Sequence, residues 1–126
     1  MRLILLLLPI FLISDNSTTR DSFLSDIEYG KMLYNNPRGI PCSKCHGKRG
    51  KGGHKIAKYY DKYGNPKLLK GSNITKYSLK ELKDSLSNRF KDRQNHRIVR
   101  HRIMPIYYLT DEEIKAIYLY LKGDKK

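Results

Sequence analysis

Cys42-Ser43-Lys44-Cys45-His46 holds the only two cysteines of this chain. Two cysteines separated by two residues and followed at once by histidine form the attachment signature of c-type haem. The spacing has a chemical reason. Two thiols on one turn of chain reach the two vinyl groups on one side of a porphyrin. The adjacent imidazole then falls beneath the ring, where it binds iron as proximal ligand. Two other chemistries use paired cysteines. A redox disulfide favours a βαβ setting, for which the sequence gives no pattern. A zinc site needs a second Cys or His pair at finger spacing, and none is present. The motif therefore makes Cys42 and Cys45 candidate thioether positions and His46 a candidate iron ligand.

Upstream, Met1-Arg2 is followed by an uncharged run from Leu3 to Ile13. One basic residue before about eleven apolar ones reads as a secretory leader, too short to span a bilayer unaided. Residues 1–15 are expected to be this signal peptide, with no clear small-x-small cleavage site, and residues 16–126 to form one domain. Retention through an uncleaved leader stays open. The expected location is periplasmic, and in an exported chain two cysteines are few. The 126 residues carry 26 Lys and Arg against 12 Asp and Glu, a net charge of +14. Such a surface favours acidic partners: an acidic protein face, anionic lipid or nucleic acid. Charge alone does not choose among them.

Three capping boxes mark helix starts. Ser25 with Glu28 opens the first, whose Ile27, Gly30 and Tyr34 share a face before Asn35-Asn36-Pro37 ends it. Ser78 with Glu81 opens the second, with Leu79, Leu82, Leu86 and Phe90 at helical spacing. Thr110 with Glu113 opens the third, with Ile114, Ile117, Tyr118 and Leu121 as its apolar stripe and Gly123 as its stop. Between them, Gly47 to Gly53 reads as a flexible basic loop, lacking the strand and spacing of a phosphate loop. The stretch from His54 to Leu69 gives no element. No strand pattern competes, so an all-α fold of three to four helices is expected. Lys91 to Arg102 is a very basic connection leading to Ile103-Met104-Pro105.

From Asp26 to Lys122 this pattern resembles a class I cytochrome c, a small monohaem c-type cytochrome of bacterial type. The likeness is strongest at Cys42-Ser43-Lys44-Cys45-His46-Gly47, then at Met104-Pro105 before a capped C-terminal helix. It implies a cytochrome c fold, with helices wrapped around one covalent haem c and the last helix crossing the first. It also implies a methionine from a late loop as sixth iron ligand. Met104 is the only methionine after the motif, and Pro105 biases it towards extended backbone. His101 and His96 lie in the same connection and are rivals for that position; His54 is a weaker one. A mid-helix glycine such as Gly30 costs about 1 kcal/mol relative to alanine. A close crossing of the last helix, with Tyr34 and Tyr118 nearby, would explain it. Tyr59, Tyr60, Tyr63 and Tyr77 are candidates for haem propionate contacts or for amphipathic surface.

The resemblance implies a one-electron carrier between respiratory redox partners, without catalytic residues of its own. Its partners would be acidic-faced redox proteins: an oxidoreductase as donor, a terminal oxidase or peroxidase as acceptor. A weak association with anionic membrane surfaces is a further expectation; specific nucleic-acid binding is not. The alternative is a haem-containing subunit of a peroxidase- or oxidase-type enzyme, which would follow if the sixth position were open.

Overall fold

The computed structural model describes residues 24–91, 98–99 and 103–123. The expected leader at 1–15, His96, His101 and most of the Lys91–Arg102 connection lie outside the described residues. Among the described residues four α-helices form: α1 (Asp26–Asn35), α2 (Cys42–His46), α3 (Leu79–Leu86) and α4 (Asp111–Lys122). A 3-10 turn at Lys48–Gly50 follows α2.

The three capping boxes form as the sequence predicts. Ser25, Ser78 and Thr110 each accept the backbone N–H three residues on, and Glu28, Glu81 and Glu113 reach back to the cap N–H at 2.9, 2.7 and 2.8 Å. Each cap satisfies donors that a helix start leaves open, typically worth about 1 kcal/mol.

The core lies where α1 crosses α4. Gly30, Leu33 and Tyr34 of α1 are buried against Ile114, Ala116, Ile117 and Tyr120 of α4. The crossing is a contact of backbones: a Cβ placed on Gly30 would overlap the carbonyl oxygen of Ala116. Glycine is thus required at Gly30 by the close approach, which offsets its weak helix propensity. Tyr34 has no exposed surface. Its ring meets that of Tyr120 at 5.4 Å between centroids. Tyr120, not Tyr118, is the aromatic partner at the crossing; Tyr118 packs at the edge of the core, partly buried. Leu82 and Leu86 of α3 close the cluster, whereas Leu79 is exposed.

The helical fold expected from the sequence also carries a small antiparallel sheet. His54 to Lys70 contains an antiparallel hairpin, β1 (Lys55–Tyr60) and β2 (Pro66–Lys70). Asp61 shapes the connection, its carboxylate accepting from the backbone N–H of Tyr63 and Asn65. Most of both strands is solvent-exposed, so no alternation of apolar and polar residues marked them. A short pair, β3 (Phe90–Lys91) and β4 (Ile98–Val99), flanks the basic connection. The glycine-rich loop is also held in place rather than loose. Gly47 carbonyl accepts from Tyr34 Oη at 2.7 Å, Gly52 N–H donates to His46 carbonyl at 2.7 Å, and Ile74 N–H donates to Gly50 carbonyl at 2.8 Å.

The approach to α2 is tied down by a charge that sequence reading passed over. Arg38 Nη1 and Nη2 donate to the two carboxylate oxygens of Glu113, each at 2.7 Å. Arg38 also donates to Tyr108 carbonyl, and Tyr29 Oη donates to Glu113. The Arg38 guanidinium first, and the Thr110 N–H next, push the Glu113 carboxyl down to about 2.

Two outcomes follow. Gly30→Ala should destabilise the folded protein by about 3 kcal/mol or more, read from denaturant melts; an unchanged midpoint would refute the backbone contact. Because Glu113 titrates lower folded than unfolded, its contribution is complete above pH about 4.5 and vanishes as pH falls through about 2. Glu113→Gln should therefore melt earlier than wild type at neutral pH, and the gap should close across that acid window.

Candidate functional site

Pro41 stands at the N-cap of α2, and Cys42 and Cys45 fall three residues apart on its one turn, on a common face. Both thiols are free. Cys42 is 8% exposed, and burial pushes its thiol up to about 11. A thiol held protonated is a poor nucleophile for disulfide exchange, which weighs against a dithiol redox site. Cys45 is half-buried and does not line the cavity described next.

That cavity, about 30 Å³, lies beside α2. Cys42 and His46 line it from the motif, Met104 from the late loop, and Tyr34 and Ile117 from the α1–α4 crossing. Ile74, Tyr77, Leu82, Leu86 and Phe90 complete an almost wholly apolar wall. His46 and Met104, distant in sequence, are thus brought to one space. His54 is not: it faces a shallow groove with Lys31, Lys44 and Lys48. Of the four tyrosines considered for the site, Tyr77 lines the cavity, while Tyr59, Tyr60 and Tyr63 are exposed on the hairpin and its turn.

His46 is oriented by the backbone. Its Nδ1 lies 2.9 Å from the carbonyl oxygen of Ser72. A carbonyl only accepts, so Nδ1 carries the proton and Nε2 keeps its lone pair free for a metal. Ser72 reaches this place because Gly71 passes against α2: a Cβ at Gly71 would overlap the carbonyl of Cys45. Neither residue carried a recognisable signal. The only hint was a Gly-Ser pair after Lys70, common in any loop.

The late loop is fixed by side-chain and main-chain hydrogen bonds. Asn88, 6% exposed and at φ 53°, donates from Nδ2 to Met104 carbonyl at 2.9 Å. Tyr107 N–H donates to Leu86 carbonyl at 2.9 Å, and Tyr107 Oη to Ile40 carbonyl at 2.7 Å. Burial pushes the Tyr107 phenol up to about 12. Asn88 tolerates the left-handed backbone better than most residues, which a sequence read for ligands does not reveal. Asn88→Ala should cost about 1–2 kcal/mol through the lost buried hydrogen bond, with Asn88→Gly, free of backbone strain, isolating that bond. Denaturant melts giving wild-type stability for both would show that Asn88 does not hold the loop.

The donor set fits one kind of cofactor. Two thiols, one imidazole with a free nitrogen, one thioether and an apolar wall suit a flat iron porphyrin that brings its own four nitrogens. Among the described residues, no group of three or more His, Cys, Asp or Glu is gathered as a bare metal site. The sequence profile of the cytochrome c family matches residues 27–124, most of the chain and every element from α1 to α4. No curated protein and no solved structure gives a significant match. Members of that family bear covalent haem c and transfer electrons without being enzymes. The chain belongs to the cytochrome c family and is a haem c-bearing electron-transfer protein.

Proposed function

We propose that this protein is an exported, single-haem carrier that moves electrons between respiratory redox proteins. In this reading Cys42 and Cys45 hold the haem through thioethers, His46 is the proximal ligand and Met104 the distal one. The observation that carries it is the convergence of Cys42, His46 and Met104 on one apolar cavity. When bound, haem supplies a one-electron iron couple. The chain supplies everything else. Ser72 carbonyl holds the His46 tautomer, Asn88 steadies the backbone of Met104, and the wall of Leu82, Leu86 and Phe90 keeps water from the metal. A thioether partner favours ferrous iron and raises the potential relative to a second imidazole.

Recognition in this reading is electrostatic. Lys44 within the motif and Lys48, Arg49 and Lys51 just after it are exposed. With a net charge of +14, they would steer the protein to acidic faces of an oxidoreductase donor and of a terminal oxidase or peroxidase acceptor. Such encounters are brief and screened by salt.

The test is spectroscopic. Mass spectrometry of the exported protein should show one haem added to the peptide containing Cys42 and Cys45. The oxidised protein should show the weak far-red band of methionine sulfur on ferric iron. Met104→Ala should abolish that band and admit carbon monoxide at neutral pH. A band that survives the substitution would exclude Met104 as ligand. Electron transfer to an acidic redox partner should slow by about ten-fold or more between about 0.01 M and about 0.15 M salt; a salt-independent rate would exclude charge steering.

A further inference from the structure

The hairpin β1–β2 adds nothing to the buried core: among the described residues, none from 55 to 70 belongs to it. Its strands pack on each other, with Tyr60 opposite Pro66, Tyr59 opposite Lys67, Lys58 opposite Leu68 and Ala57 opposite Leu69. Directly opposed residues share a face, and successive pairs alternate. Ala57 and Leu69 are half-covered, whereas Tyr59 and Lys67 on the same face are exposed. The other face carries Tyr60, Pro66, Lys58 and Leu68, all exposed. Tyr60 is 74% exposed, Tyr63 in the turn 76% and Leu68 42%.

The charge of this arm is one-sided. Residues 55–70 contain five lysines, no arginine and a single acid. That acid, Asp61, is engaged by the turn's own N–H groups and by Lys67 at 3.9 Å. Lysine beside tyrosine is the composition of a lipid interface, where the amphipathic ring sits at headgroup level and the ammonium reaches lipid phosphate. Protein–protein interfaces enrich tyrosine too, but they favour arginine and deplete lysine. The arm has the lysines and lacks the arginine.

We propose that the hairpin Lys55–Lys70 docks the protein on an anionic bilayer surface. Tyr60, Tyr63 and Leu68 enter the headgroup layer, and the lysines meet its phosphates. This goes beyond the electron-carrier reading, and its main readout is vesicle binding rather than electron transfer. Haem-loaded protein is mixed with phosphatidylglycerol-containing vesicles and, separately, with pure phosphatidylcholine. Wild type should partition onto the first and not the second. The triple variant Tyr60→Ser/Tyr63→Ser/Leu68→Ser keeps every charge, and its partition coefficient should fall by about ten-fold or more. Lys55→Gln/Lys58→Gln/Lys62→Gln should weaken binding more than Lys44→Gln/Lys48→Gln/Lys51→Gln, although both remove three charges. The chain has no tryptophan, so Tyr60→Trp gives a single reporter. Its emission should shift to the blue with anionic vesicles alone. Absence of wild-type partition, wild-type binding by the serine variant, equal losses for the two lysine sets, or an unshifted tryptophan would each overturn the proposal. Unchanged vesicle binding with slowed transfer to an acidic redox protein would assign the arm to that protein instead.

Discussion

Two helices touching backbone to backbone set the frame of this molecule. With no side chain between them, Gly30 and Ala116 fix how near α1 comes to α4. That spacing places Tyr34 and Ile117, the two most deeply buried large side chains, at the inner wall of the cavity. Tyr34 then extends the frame into the motif, because its hydroxyl holds the carbonyl of Gly47 directly after His46. A shift at the crossing would travel through one rigid aromatic ring to the end of α2.

The rest of the site is gripped by single side chains bonded to carbonyls rather than by regular structure. His46 meets Ser72, Asn88 meets Met104, and Tyr107 meets Ile40. A small domain has little core to spend on holding long connections. Directional bonds to the main chain fix those loops with few residues. Arg38 and Glu113 do the same by charge, joining the approach to α2 with the start of α4.

The helices and the attachment motif were legible because their signals are local. A cap and its partner lie three residues apart, and the Cys-x-x-Cys-His spacing is contiguous. That Met104 would lie beside the motif was legible through the resemblance, helped by its being the only methionine after the motif and by the proline that follows it. What stayed hidden depends on approach in space. Nothing near Gly71 says that it will lie against Cys45, nor near Ser72 that its carbonyl will meet an imidazole. Arg38 and Glu113 are far apart in the chain, and Glu113 already had a local explanation as a capping residue. The hairpin was missed for a different reason: a ribbon wet on most of its surface has no inside and outside for its sequence to record. Tyr118 lies on the apolar stripe of α4, but a stripe shows which side is buried and not which ring meets another helix; that ring is Tyr120.

The base of the hairpin has a consequence for how such a chain can vary. Gly53 N–H donates to Gly71 carbonyl and Gly71 N–H to His54 carbonyl, at 2.8 and 2.9 Å. Main-chain bonds thus seal the excursion where it leaves the domain and returns to it. The entropy of closing such a loop rises only slowly with its length. Insertions, deletions or wholesale replacement beyond that seal would leave the neighbouring Ser72 at its post, so natural variation has a free panel on which to write new addresses.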